Sequence, residues 1–184
     1  EIAERKQRVL MVDHTFIYTS AVRKIRDLID TGELGDILYF DSVRVNLGLF
    51  QRDINVIWDL APHDLSIMDY LLRANPLAIT AVGASHAGNN LVNIAYLTLT
   101  FPGNLLAHFH VNWLAPVKLR TTLIGGSKKM IVYDDVEVSE KVRVYDKGLI
   151  VNNGNPEKQY QALIDYRIGD VVIPKLEATE ALRH

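Results

Sequence analysis

A chain of 184 residues, 48% hydrophobic and 23% charged, has the size and balance of a single globular unit with a substantial core. Its net charge of −2, with Lys and Arg scattered along its length, excludes the basic stripe of a nucleic-acid binder. The lack of cysteine excludes a disulfide framework and thiolate metal sites, no apolar run approaches the roughly 20 residues of a membrane span, and the composition is that expected of a cytoplasmic protein.

The chain opens on Glu1-Ile2-Ala3-Glu4-Arg5-Lys6, charged and helix-like rather than leader-like. It closes on Leu176–His184, where another helix is starting, so both ends read as elements of a longer protein. Val9-Leu10-Met11-Val12, apolar between charged flanks, is expected to form a buried strand of parallel type. Thr19–Asp30 is an amphipathic helix with Val22, Ile25, Leu28 and Ile29 on one face. Gly32 follows where a left-handed residue is wanted.

From Asp36 the pattern alternates. Ile37, Tyr39, Asp41, Val43 and Val45 take one face of a strand, and Leu38, Phe40, Ser42, Arg44 and Asn46 the other. A polar loop through Gln51-Arg52-Asp53 leads to Ile57-Trp58-Asp59-Leu60-Ala61-Pro62-His63-Asp64 and an apolar helix running to Leu72. Pro62 suits a first helical turn, which places Asp59 at or just before the N-cap. His63 then falls in the first turn, where the helix dipole favours neutral imidazole. A neutral imidazole four residues after a carboxylate is a candidate general base, against the plainer alternative of a cap and a first-turn histidine.

After Asn75-Pro76 the strands come in succession: Ala78–Ser85, Val92–Phe101, Leu105–Leu114, Leu119–Gly125 and Met130–Asp134, then weaker ones at Val142–Tyr145 and Val171–Ile173. Gly88-Asn89-Asn90 and Pro102-Gly103-Asn104 are turns of hairpin grade. The expected architecture is α+β: a large, mainly antiparallel sheet with helices on one face. The bare face needs a cover, and self-association is the cheapest. Gly125-Gly126-Ser127-Lys128 lacks the spacing of a phosphate-cradling loop, so the chain by itself is not expected to bind a dinucleotide.

Several polar residues are candidates for substrate contact. Arg44 suits a carboxylate or phosphate and Asn46, on the same strand face, a sugar hydroxyl; Gln51, Tyr18 and Lys118 are further candidates. Each has a plain structural alternative as surface or core. His108 and His110 share a strand face, but no third ligand at a telling spacing accompanies them, so they are expected to be sheet histidines rather than a metal site. Trp113 is expected to serve packing or an interface, and Asp134-Asp135 with Glu137 to form a solvated acidic turn.

Four stretches together resemble the Gfo/Idh/MocA oxidoreductases, the glucose-fructose oxidoreductase and inositol dehydrogenase family. They are Leu10-Met11-Val12-Asp13-His14-Thr15-Phe16 with Ala21-Val22-Arg23; Gly32-Glu33-Leu34-Gly35-Asp36-Ile37; Asp59-Leu60-Ala61-Pro62-His63-Asp64, matching a D-x-x-x-H motif; and Trp113-Leu114 with Pro116, Lys118, Arg120 and Gly125. The stretch from Arg44 to His63 is most similar to sugar and nucleotide-sugar dehydrogenases. The resemblance implies that residues 1–31 are the end of a Rossmann domain with its connecting helix, and that residues 32–184 form a substrate-binding and oligomerisation domain. It implies hydride transfer from a sugar or nucleotide-sugar carbinol to NAD or NADP in the full-length protein, with His63 as base or proton relay and Asp59 orienting it or fixing its charge state. The family's Glu-Lys-Pro lysine has no counterpart here, so this fragment is expected to be inactive and to bind no cofactor. A homodimer or homotetramer through the sheet face is expected, with no nucleic-acid or membrane partner. The alternatives are a non-catalytic dimerisation module, or a reductase of the same family with a non-sugar substrate.

Overall fold

A computed structural model describes residues 1–48, 51–86, 88, 90–147, 169–177 and 181. In chain order the helices are α1 (Ile2–Arg5), α2 (Ser20–Asp30) and α3 (Val56–Leu72), with 3-10 turns at Thr15–Tyr18 and Pro102–Asn104. The strands are β1 (Ile37–Leu47), β2 (Ala78–Ala84), β3 (Ile94–Thr100), β4 (Leu106–Asn112), β5 (Leu114–Gly126), β6 (Met130–Asp134), β7 (Val142–Tyr145) and β8 (Val171–Val172).

All eight strands form one sheet in the order β2-β3-β4-β1-β5-β6-β7-β8. Every pairing is antiparallel except β1 with β4. Helices α2 and α3 lie on one face, as the alternating pattern requires. The expected α+β architecture, mainly antiparallel and without a Rossmann unit among the described residues, is therefore what the chain adopts.

The core lies between that face and the helices. Val22, Ile25 and Leu28 of α2 and Val56, Ala61, Ile67, Met68 and Leu71 of α3 pack over Phe40, Phe109, Val111, Ile124 and Ile131 of the sheet. Thr19 caps α2 through its side chain. Gly32, at φ +70°, closes the other end: its N–H donates to Ile29 and that of Glu33 to Leu28, the reciprocal pair that satisfies a helix terminus. Gly125 is needed for another reason, since the Tyr39 ring occupies the place of its missing Cβ.

Three expectations are corrected here. Val9–Val12 forms no strand, and its side chains are 69–96% exposed; a parallel strand needs neighbours, and none of the described strands pairs with it. Helix α3 begins six residues before Pro62, capped by Asn55, whose side chain accepts from Trp58 N–H. Asp59 is thus within the first turn, while Pro62 and His63 lie in the helix interior. Strand β5 starts at Leu114, five residues earlier than expected; its register with β1 jumps between Val45–Leu119 and Leu47–Leu114, so Ala115–Lys118 bulge outward. Most of the terminal stretch beyond Glu177, expected to start a helix, lies outside the described residues, as does Asn89 of the first turn.

Candidate active site

His63 and Asp64 are neighbours on α3, so their side chains leave the helix about 100° apart. His63 is exposed and Asp64 is buried. Asp64 sits in the apolar stripe of Ala61, Ile67, Met68 and Leu71 that faces the sheet. A lone carboxylate there would be costly. Arg44 of β1, equally buried, meets it with both prongs of its guanidinium: Nε donates to Oδ2 at 2.7 Å and Nη2 to Oδ1 at 2.8 Å. The side chains are 4% and 5% exposed. The bidentate partner expected of Arg44 is therefore Asp64 rather than a ligand.

Phe16, in the 3-10 turn Thr15–Tyr18, connects this pair to His63. The Arg44 Cζ lies 4.7 Å from its ring centroid and that of Arg120 lies 6.0 Å away. Its ring meets His63 edge-on, with centroids 5.2 Å apart and planes at 69°. Cation–ring contacts of this kind contribute about 0.5–1 kcal/mol where exposed and about 2 where dry. Arg120, opposite Arg44 in the β1–β5 register, is held at 3.1 Å by Asp135. Asp135 also accepts from the buried Tyr133 hydroxyl, and its backbone carbonyl takes the Lys141 ammonium. The acidic turn is thus partly a structural anchor: Asp135 holds the sheet together, while Asp134 and Glu137 accept local backbone N–H groups.

Burial first, then the positive charges of Arg44 and Arg120, hold the His63 pKa below the ordinary histidine value, with Asp64 and Asp59 opposing only in part. The imidazole is neutral near pH 7, as a proton acceptor must be. Asp59, one turn before it, accepts the indole N–H of Trp113 at 3.0 Å. Trp113 is 1% exposed, and a buried indole requires such an acceptor. The side-chain hydrogen bond of Asp59 is thus made with Trp113, and its influence on the imidazole is that of a nearby negative charge.

The other candidates scatter. Tyr18 shares the 3-10 turn with Phe16 and lies under the guanidinium of Arg23 at 5.9 Å. Asn46 is half-buried at the end of β1, Gln51 is exposed in the following loop, and Lys118 is exposed in the β5 bulge. His108 and His110 lie on the bare sheet face with Tyr96 stacked beside them, 4.5 Å from His110. Among the described residues no group of three or more His, Asp or Glu is placed to hold a metal. Asp64, Phe16, Arg120 and Trp113 complete the constellation and were not assigned to it from sequence. Asp64 and Arg44 carried a usable signal, since each is a charge on the apolar face of its element.

The chain matches a family model described as the GFO/IDH/MocA C-terminal domain over residues 22–132. No curated protein sequence matches it. Among solved structures it is similar to the UDP-N-acetylglucosamine 3-dehydrogenase GnnA of Acidithiobacillus ferrooxidans, with 21% identity and TM-score 0.71, covering 98% of this chain and 52% of that one. It is similar to an inositol dehydrogenase homologue of Azotobacter vinelandii solved with NADH and myo-inositol (18%, TM-score 0.69, 95% and 50% covered). It is also similar to an aldose-aldose oxidoreductase of Caulobacter crescentus (16%, TM-score 0.67, 88% and 53% covered). These likenesses are of fold, and the chain spans about half the length of each of these three structures.

Proposed function

The chain belongs to the GFO/IDH/MocA oxidoreductase family through its C-terminal domain, and from that premise we propose that it is the substrate-binding half of an NAD(P)-dependent dehydrogenase acting on a hydroxyl of a sugar or nucleotide sugar. The observation that carries this reading is His63: neutral, exposed, and held on a helix anchored to the sheet by a buried ion pair. The structural neighbours, a nucleotide-sugar dehydrogenase and an inositol dehydrogenase homologue among them, support the substrate class.

Oxidising a carbinol removes a hydride from carbon and a proton from oxygen. The nicotinamide would supply the hydride acceptor. The residues of this chain that fit the reaction are those of the proton-accepting side. His63 would take the hydroxyl proton, and the ring orientation set by Phe16 would aim it. Asp59 would steady the charge that develops on the imidazole, and Trp113 keeps that carboxylate in place. Asn46, Gln51, Tyr18 and Lys118 remain the candidates for hydroxyl or phosphate contact; Arg44 does not, because its fork is taken. Two exposed features fit a wall supplied from outside the described residues: Trp58, 74% exposed five residues before His63 on α3, and Val9–Val12. The 184-residue chain alone is expected to show no turnover, and in the full-length protein the bare sheet face is expected to pair with a second copy.

The test is His63→Ala in the full-length protein. General-base loss lowers turnover by about 10²–10⁴-fold, with nicotinamide affinity unchanged as measured by cofactor titration. Unchanged turnover would overturn the base assignment. A full-length protein that oxidises no sugar alcohol with either cofactor would instead be a non-catalytic binding module or a reductase of the same family with a non-sugar substrate.

A further inference from the structure

Four elements far apart in sequence converge on one aromatic ring. Phe16 comes from the 3-10 turn Thr15–Tyr18, Arg44 from β1, Arg120 from β5 and His63 from α3. The Arg44 guanidinium cannot swing, because Asp64 holds both its prongs in a site only 4–5% exposed. The Phe16 ring lies over that fixed plane at 4.7 Å and presents an edge-on contact to His63 at 5.2 Å. Rigidity that starts in the central strand is thus passed through an aromatic ring to the His63 imidazole.

We propose that Phe16 is a positioning residue: clamped on the Arg44 guanidinium, it screens one side of His63 from water and fixes the orientation in which the imidazole is presented. The proposal rests on the reading of His63 as the base and adds a residue that touches no reacting atom. It accounts for a buried ion pair whose retention stability alone does not require, since such pairs are frequently no better than apolar side chains of the same volume. The charged groups facing His63 are Arg44 from β1, Arg120 from β5, and Asp59 and Asp64 from α3. The two cations disfavour imidazolium; the ring between them and His63 contributes the dry surface that does the same. The largest cause of the lowered His63 pKa is burial, and Phe16 is the aromatic side chain in ring contact with it.

The test is a proton NMR titration of the histidine ring signals of the 184-residue chain, with the His108 and His110 signals as an internal check that the sheet is intact. In Phe16→Ala the His63 midpoint is expected to rise toward the ordinary histidine value, while Phe16→Tyr, which keeps the ring, is expected to keep the original midpoint. A His63 midpoint unchanged in Phe16→Ala would overturn the proposal, as would a Phe16→Tyr variant that titrates like Phe16→Ala. Should Phe16→Ala fail to fold, Phe16→Gln serves: it keeps much of the bulk but replaces the dry ring surface with a polar amide, and an unmoved midpoint there also overturns the proposal. In the full-length protein the acid limb of the turnover profile is expected to move to higher pH by the same shift. Failure of the parent reading looks different: the midpoint would still move in Phe16→Ala, while His63→Ala would leave turnover intact.

Discussion

Arg44 and Asp64 show how one buried charge pair can decide both stability and site geometry. Truncating one partner strands the other, so Arg44→Ala is expected to cost about 3–5 kcal/mol of unfolding free energy. Replacing both, as Arg44→Met with Asp64→Leu, is expected to leave stability near the original value, because two apolar side chains of similar volume fill the space without desolvated charge. Urea unfolding of the two variants distinguishes these outcomes. The same residues mark what a sequence can disclose. Asp64 falls in register with Ala61, Ile67 and Leu71 on the core stripe of α3, and Arg44 in register with Phe40 on the core face of β1; each pattern signals a buried charge in need of a partner. That the two are partners depends on how α3 lies across β1, which no local spacing encodes. The role of Phe16 was hidden for the same reason, since its contacts come from residues in three other elements.

Acid should loosen the molecule through its histidines. His63 and His110 are both held below the ordinary value, each chiefly by burial. The unfolded chain therefore takes up protons near pH 6.5 while the folded chain does not. Stability is full above that pH and declines as pH falls through it toward the lowered folded values. Unfolding midpoints at pH 7.5 and 5.5 measure the decline, and His63→Gln should remove part of it.

At the scale of elements, α3 carries the candidate site, and its start was poorly legible in sequence. Pro62 is a strong first-turn signal, yet it lies in the helix interior, where it leaves the Trp58 carbonyl without its usual donor. Asn55 is the working cap. Asn55→Ala is expected to cost about 1 kcal/mol and Asn55→Asp little, read from thermal unfolding; an equal loss in both would show that the cap is not what starts the helix. The far end of α3 is closed by Arg26 of α2, whose guanidinium donates to the carbonyls of Tyr70 and Leu71 while pairing with Asp30. This cross-helix cap has no sequence signature, whereas the Gly32 terminus of α2, set by neighbouring residues alone, could be read directly. The strands after Asn75 were legible within one or two residues, apart from the start of β5, because alternation and turn residues are local signals. Val9–Val12 shows the converse: an apolar run specifies a wish for burial, and only neighbouring strands can grant it.

At the scale of the whole molecule, the bare sheet face is the feature that needs a partner. Tyr96, Leu106, Leu119 and Leu123 are 39–48% exposed on it. Eight strands at their usual spacing offer roughly 700 Å² of projected face, close to what each partner of a standard interface buries. A second copy of the chain is the expected occupant, so Leu123→Lys should shift sedimentation toward the monomer; an unshifted profile would move the contact elsewhere. The His108–Tyr96–His110 stack lies within that face and would be covered with it.

Strand β1 has one more consequence, in the order of events by which the chain acquires its shape. Its residue Phe40 pairs with Ala107 on one side and Ile124 on the other, so β1 belongs to no hairpin. Strands β2 to β4 can zip along short turns, and so can β5 to β7, but β1 joins only after two long loops close. In pulse-labelled hydrogen exchange during refolding, amides of the β3–β4 and β5–β6 pairs should gain protection before those of Phe40–Val45. Arg44 arrives with β1, so a refolding chain would recover its sheet hairpins first and the surroundings of His63 last.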